Sequence, residues 1–406
     1  MTSFLGRLLT SSALIAAGTS VAHAQMSEDM VRIGVLTDMS GIYSDLAGDG
    51  AVEAVRMAVE DFGGEVNGAP IDVVVYDHLN QADVAAAKAR EWFDVEGVDM
   101  ITDLSNSGAA LAVAGVAREM ERHIIVNGSS NIGITNDVCS PYAVHWAYDA
   151  YSLANGTGRA VVEAGGLEWF FLTVDFAFGI GLEEQVTGVV EDAGGEVLGS
   201  ARHPLGTTDF SSYMLQAQSS GAEIVGIAST GGDAINAINA AAEFGITQDQ
   251  TLAALLLWLN DIHSIGLEAA GGLQLTNGWY WDMNEESREF ANRYFERVGM
   301  MPNMSQAGNY SATMHYLKAI ETAGTDDPDA VSQAMRSTPI SDFFTDDGYI
   351  REDGRMMHDM YLWKVKTPEQ SEYDWDYLEA VSTIPAEEAF QPLDQSTCYL
   401  VTGEEG

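Results

Sequence analysis

Small hydroxyl and amide residues gather behind apolar runs of the chain: Ser40 after "VRIGVLTD", Ser105, Asn106 and Ser107 after "VDMITDL", and Gly128, Ser129 and Ser130 after "HIIVN". Each run reads as a strand and each cluster opens a helix, so hydroxyls and free backbone N–H groups collect where a helix N-terminus favours negative charge. Such a set captures an anion, above all a carboxylate. A charge-assisted hydrogen bond contributes about 1.5–3 kcal/mol net, so three or four approach the ~8 kcal/mol of micromolar binding before ordering costs. Ser and Asn at these positions also serve as ordinary N-caps. A nucleotide is the other anion such loops hold, but Gly41, Gly48 and Gly50 in "VRIGVLTDMSGIYSDLAGDGA" fit neither G-x-G-x-x-G nor a P-loop.

A second set differs in character: Asp175, Phe176 and Phe178 in "VDFAFG", Asp233 in "STGGDA", Trp258 with Asn260 and Asp261 in "LLWLND", and Trp281 in "GWYWD". Aromatic rings beside a few polar groups describe the wall of a small-molecule pocket. Tyr43 adds a ring and a hydroxyl from the first loop. The same rings also fill cores, Asp233 also reads as a helix cap, and Tyr280 with Trp281 either close over a ligand ring or cement a chain crossing.

Enzymatic patterns are missing from the sequence. There is no H-E-x-x-H, C-x-x-C or G-x-S-x-G, and the eight histidines are scattered. His78 and His263 stand near strand ends but read as polar loop residues. Asp346, Asp347 and Asp353 in "FTDDGYIREDGR" miss the EF-hand spacing and read as a solvated acidic turn. The reading is therefore no enzyme, no metal and no cofactor.

Two stretches of the chain repeat one order of elements and carry these loops. The first runs through apolar segments at 31–41, 71–77, 98–105 and 123–130, the second through segments at 168–179, 196–205, 223–230 and 251–259, with amphipathic helices between them. Strands alternating with such helices give parallel sheets covered on both faces. The expected fold class is α/β, two doubly wound parallel-sheet lobes joined by several hinge crossings. Lobe I takes residues 27–147 plus 280–355, lobe II residues 148–279 plus 356–380, and residues 381–406 form an irregular tail.

Residues 1–24, with Arg7, the apolar "LLTSSALIAAG" and a terminal "AHA", read as a cleaved secretory signal peptide, which sends the mature protein to the periplasm. No later apolar run reaches the ~18 residues that span a bilayer. In an oxidising compartment Cys139 and Cys398, the only cysteines, are most simply one disulfide, the other reading being two buried thiols. A formal charge of −43 repels nucleic acid and anionic membranes, and also the protein itself, a cost that salt reduces.

The blocks "IGVLTDMSGIYSDLAGDGAVEAVRMAVEDFGG", "VNGAPIDVVVYDHLNQADVAAAKAREWF", "VDMITDLSNSGAALAVAGVA", "DFAFGIGL", "GAEIVGIASTGGDA" and "QAGNYSATMHYLKAIETAG" together resemble the type I periplasmic solute-binding proteins of ABC uptake systems. The likeness is to the leucine/isoleucine/valine-binding branch and covers nearly all of the mature chain. It implies a monomer whose two lobes close on one small carboxylate solute and deliver it to a cognate ABC permease in the inner membrane. It further implies that the loops with Ser105, Asn106, Ser107, Ser129 and Ser130 hold the carboxylate. Where that branch uses a tyrosine and an acidic residue for an ammonium, this chain has Phe176 and the "LLWLND" segment. That departure favours an aromatic or other organic acid; a branched-chain or related amino acid or an amide is the alternative. A soluble sensory module of the same fold is the remaining rival.

Overall fold

The computed structural model describes residues 26–403; the expected signal peptide at 1–24 lies outside them. Fifteen strands are described. The first six are β1 (Val31–Thr37), β2 (Glu65–Val66), β3 (Ala69–Asp77), β4 (Met100–Asp103), β5 (His123–Val126) and β6 (Ala143–His145). Then come β7 (Glu168–Val174), β8 (Glu196–His203), β9 (Ile224–Ala228), β10 (Thr251–Ala254) and β11 (Gln274–Asn277). The last are β12 (Tyr349–Ile350), β13 (Met356–Met357), β14 (Met360–Val365) and β15 (Leu378–Ile384).

They form a six-stranded sheet in the order β2-β3-β1-β4-β5-β6 and a four-stranded sheet in the order β10-β9-β7-β8. Apart from the short β2–β3 hairpin, every pair in these sheets is parallel. The repeat seen in the sequence is a repeat of topology. In each sheet the four strands of the repeat lie second, first, third, fourth, as β3-β1-β4-β5 and as β8-β7-β9-β10. Helices cover both faces, so the central strands are buried on both sides: every residue of β4, β5 and β9 is buried. That is why they read as unbroken apolar runs without alternation.

Two sequence expectations need correction. The run "TLAALLLWL" is a strand only through Ala254; Leu255–Trp258 leave the sheet still buried, and Trp258 stands immediately before the helix Leu259–Ile265. A short apolar run does not distinguish a buried strand from a buried turn into a helix. The tail is not irregular from residue 381 either. Strand β15 runs to Ile384 and pairs antiparallel with β14, in a third sheet ordered β11-β14-β15. Short helices follow at Ala386–Ala389 and Tyr399–Thr402. As an edge strand whose residues 379–383 are exposed, β15 needs no apolar alternation, so the sequence pattern missed it.

The chain passes between the two parallel-sheet systems at 146–149, after β11 and before β14. The buried Arg355 guanidinium binds these crossings together. It donates to the Trp146 carbonyl, to the Tyr148 carbonyl at 3.1 Å and to Asp149 Oδ2 at 3.4 Å, and lies over the Phe390 ring. His358 adds Nε2 at 3.0 Å from the Ala147 carbonyl. Beyond β15 the tail returns to the first sheet system, where Thr397 N donates to Asn136 Oδ1 at 2.9 Å and Cys139 is bonded to Cys398. Of the two readings of the cysteines, the disulfide holds.

Candidate functional site

The loop after β1 is shaped by Asp38, a residue sequence reasoning passed over. Its buried carboxylate accepts from Gly41 N at 2.7 Å, Tyr43 N at 2.9 Å and Asn80 Nδ2 at 2.6 Å. Those bonds fold residues 38–47 back so that the Tyr43 ring, 2% exposed, points inward. After β4 the chain turns through two non-glycine residues in the left-handed region, Asp103 (φ 74°) and Leu104 (φ 57°). Backbone strain of this kind costs of order 1–3 kcal/mol per residue and persists where the surroundings enforce it. Here Asn309 Nδ2 holds Asp103 Oδ1 at 2.8 Å, while the amides of Asn127 and Gly128 hold its carbonyl.

The turn delivers Ser105, Asn106 and Ser107 to the start of the helix Ser107–Met120. Asn106 caps it, Oδ1 accepting from Ala109 N at 3.1 Å. That satisfies the third orphan amide and leaves those of Ser107 and Gly108 without a partner inside the helix. Gly128 comes so close that a Cβ there would lie 2.6 Å from Ser105 Cα, so only glycine fits. Ser105 Oγ is occupied: it accepts from Asp38 N at 3.0 Å and lies 3.3 Å from His78 Nε2. Ser129 Oγ donates to Ser107 Oγ at 3.1 Å, leaving the Ser107 proton to point elsewhere.

Across from these loops stand residues carried by the second sheet. Tyr43, Leu46, Ser105, Ser107, Gly128, Tyr148, Phe176, Phe178, Thr230 and Trp258 line one small cavity of about 10 Å³, so the two sides are nearly closed on each other. The two sides touch. Tyr43 and Phe176 have ring centroids 6.4 Å apart, Tyr148 meets Trp258 edge to face at 5.3 Å, and Asn303 Nδ2 donates to both the Leu46 carbonyl and Asn260 Oδ1 at 2.9 Å. No acidic side chain lines the cavity, but two lie near its Tyr43 wall. Burial raises the Asp233 carboxyl to about 6 and the Asp261 carboxyl to about 7. Burial also raises the Tyr43 hydroxyl well above its ordinary value, and the fields of Asp233 and Asp261 add to that.

Of the residues singled out in the sequence, Tyr43, Ser105, Ser107, Gly128, Phe176, Phe178 and Trp258 come together on this cavity. Ser130 lines a neighbouring depression beside Phe178, its buried Oγ without a partner among the described residues. Ser129 and Asn106 support the wall from behind. Ser40 donates to Asp77 at 2.6 Å on the exposed edge of its loop. Asp175 is exposed and pairs loosely with Arg202 at 3.8 Å. Asp233 Oδ2 accepts from Gly206 N at 3.1 Å, which makes it a loop anchor rather than a helix cap, while its Oδ1 has no partner among the described residues.

Trp281 is a correction. It lies away from the cavity, its indole N–H and the Tyr280 hydroxyl both donating to the Trp375 carbonyl, at 3.1 and 2.8 Å. The "GWYWD" stretch cements a crossing because the C-terminal segment folds over it. The two histidines considered for acid–base work are also occupied. His78, which burial lowers to about 4, sits behind Ser105, and His263 stacks on Trp375. Sequence reasoning missed Leu46, Tyr148 and Thr230; Leu46 and Thr230 stand in quoted segments, where an apolar and a small residue drew no assignment, and Tyr148 lies in the stretch between the two repeats. Among the described residues no group of side chains could hold a metal ion.

Two parallel sheets of one topology, several crossings and a cavity between them are the features a family match has to explain. The family model described as "Periplasmic binding protein" matches residues 30–371. This chain belongs to that family. A crystal structure of a periplasmic binding protein from Burkholderia mallei is 52% identical with a TM-score of 0.90, covering 92% of this chain and 99% of that one. A branched chain amino acid ABC transporter periplasmic ligand-binding protein from Burkholderia xenovorans is 38% identical with a TM-score of 0.81, covering 92% and 100%. The Leu/Ile/Val-binding protein homolog 6 of Brucella melitensis is 25% identical over 324 residues, 78% of this chain and 81% of that protein. The chain is thus a leucine-binding-like periplasmic binding protein of the ABC-transporter type, and no helix among its described residues is long and apolar enough to cross a membrane.

Proposed function

We propose that this periplasmic binding protein captures a small carboxylate solute, an aromatic or other flat organic acid, between its two lobes and presents it to its ABC permease. The lobes are residues 27–147 plus 280–355 and residues 148–279 plus 356–384, the last bound set by the end of β15. The observation that carries the reading is the composition of the cavity wall. Donors of the Ser107 helix end face five aromatic rings, Tyr43, Tyr148, Phe176, Phe178 and Trp258, with no carboxylate among the lining residues. In a chain of charge −43, an anion is held only where local donors outweigh the long-range field, and a helix end inside an enclosed cavity provides that. Because Ser107 and Tyr43 stand on the first lobe and Phe176, Phe178 and Trp258 on the second, the full contact set forms only when the two meet, so binding favours closure.

An amino-acid solute is the second reading. It is supported by the unpaired Oδ1 of buried Asp233 and by the name of the 38% identical relative. Titration calorimetry of the mature protein with benzoate, phenylacetate and cinnamate against leucine and valine separates the two. Heat with an aromatic acid and none with leucine supports the acid. Binding of leucine alone moves the assignment to the amino acid, with Asp233 as partner of the ammonium.

A further inference from the structure

The carboxylate reading accounts for one end of the solute and leaves two polar residues of the cavity lining without a role. Sixteen buried side-chain atoms lack a hydrogen-bond partner among the described residues, and only two of them belong to residues that line the cavity: Thr230 Oγ1 and Trp258 Nε1. Both residues are more than nine-tenths buried, at 6% and 1% exposure. Both come from the second sheet system, Thr230 from the loop after β9 and Trp258 from the turn after β10, opposite Ser107 and Gly128. Two further polar groups of the wall are engaged: the Tyr148 hydroxyl donates to the Gly128 carbonyl at 3.2 Å, and Ser105 Oγ is held by Asp38 N.

An indole N–H only donates, and a hydroxyl donates or accepts. A buried donor without a partner is costly, so a ligand atom that satisfies it is favoured over one that does not. Resting on the carboxylate reading above, we propose that Thr230 and Trp258 form a second subsite that recognises an oxygen acceptor at the far end of the solute. The substrate class is then an acid carrying a hydroxyl or carbonyl oxygen opposite its carboxylate. An unsubstituted acid leaves the indole N–H bare, and an ammonium cannot accept its hydrogen. Apolar isosteres are therefore discriminated against by these two residues, whereas Ser107 and the helix end bind every acid alike.

The test compares matched pairs that differ only in hydroxyl against methyl: 4-hydroxybenzoate and 4-methylbenzoate, 4-hydroxyphenylacetate and 4-methylphenylacetate, 4-hydroxycinnamate and 4-methylcinnamate. Affinities are measured by calorimetry on the full mature chain and on Trp258→Phe and Thr230→Val. The expected result is a wild-type preference of about tenfold or more for the hydroxyl member of the best-binding pair, falling toward unity in both variants. The wild-type ratio needs no variant to fold. If the acids bind but the ratio is near one, or survives both substitutions, the second subsite is refuted while the carboxylate reading stands. If no acid of the panel binds, both fall, and binding of leucine in the same experiment assigns the site to an amino acid.

Discussion

Replacing Ser107 by alanine removes one hydroxyl from the start of a helix, and the structure sets what that should do. Ser107 Oγ accepts from Ser129 Oγ at 3.1 Å, so its proton is available to a ligand in the cavity it lines. A hydrogen bond to a charged group contributes about 1.5–3 kcal/mol, which predicts a solute Kd raised roughly 10- to 150-fold. Folding should tolerate the change. Ser129 loses an acceptor but keeps the bond from Asn131 N at 3.3 Å, so the stability cost is about 0.5–1.5 kcal/mol, within what a domain of this size carries. Calorimetry with the tightest-binding acid reads the affinity, and thermal melting of the free protein reads the fold. Ser40→Ala is the control, since that hydroxyl binds Asp77 on the outer edge of the same ligand-facing rim and should leave Kd within about twofold. A Ser107→Ala protein that melts normally and binds the acid within about twofold of wild type would refute the placement of the carboxylate at this helix end.

Three further perturbations follow from the same geometry. Gly231→Ala places a methyl 3.0 Å from the Ile42 carbonyl across the cleft at a φ of +60°; backbone strain should cost roughly 1–3 kcal/mol of stability, and solute affinity should fall several-fold as well, checked by melting and by calorimetry. Asp261→Asn keeps an acceptor for Trp258 N but removes a carboxyl that burial raises to about 7. A raised carboxyl pKa contributes stability that is complete below the unfolded value and lost as pH rises through the folded value, so the melting advantage of the variant over wild type should grow between pH 5 and about pH 8. A flat difference across that range argues against a buried carboxyl there. Cys139→Ser releases the tail from the first sheet system and should lower stability by about 2–5 kcal/mol, read as a drop in denaturation midpoint; an unchanged midpoint would show that the tail's hydrogen bonds suffice.

The architecture was legible because parallel strands buried on both faces leave apolar runs that composition cannot hide, and because the four-strand order recurs in both halves. The lobe I side of the site was legible for a related reason. Ser105, Ser107 and Gly128 sit at fixed offsets from strand ends, where topology alone places ligands. The lobe II side was harder. Trp258 read as lying near the end of a strand at 251–259, yet it reaches the cavity because the chain leaves the sheet at Leu255. Thr230 and Tyr148 matter only because two distant segments meet, which no local pattern encodes. Asp38 does its work through backbone amides of its own loop, a role any aspartate in a turn could have. Trp281 was misplaced because the segment that covers it, around Trp375, lies 94 positions further along the chain.

The most direct test of the central claim is a crystal structure of the protein with its tightest-binding acid. Carboxylate oxygens are expected within about 3.2 Å of Ser107 Oγ and of the Ser107 and Gly108 amides, with the body of the acid among Tyr43, Phe176 and Trp258. A solute whose carboxylate lies elsewhere, or whose ammonium sits on Asp233, would contradict it.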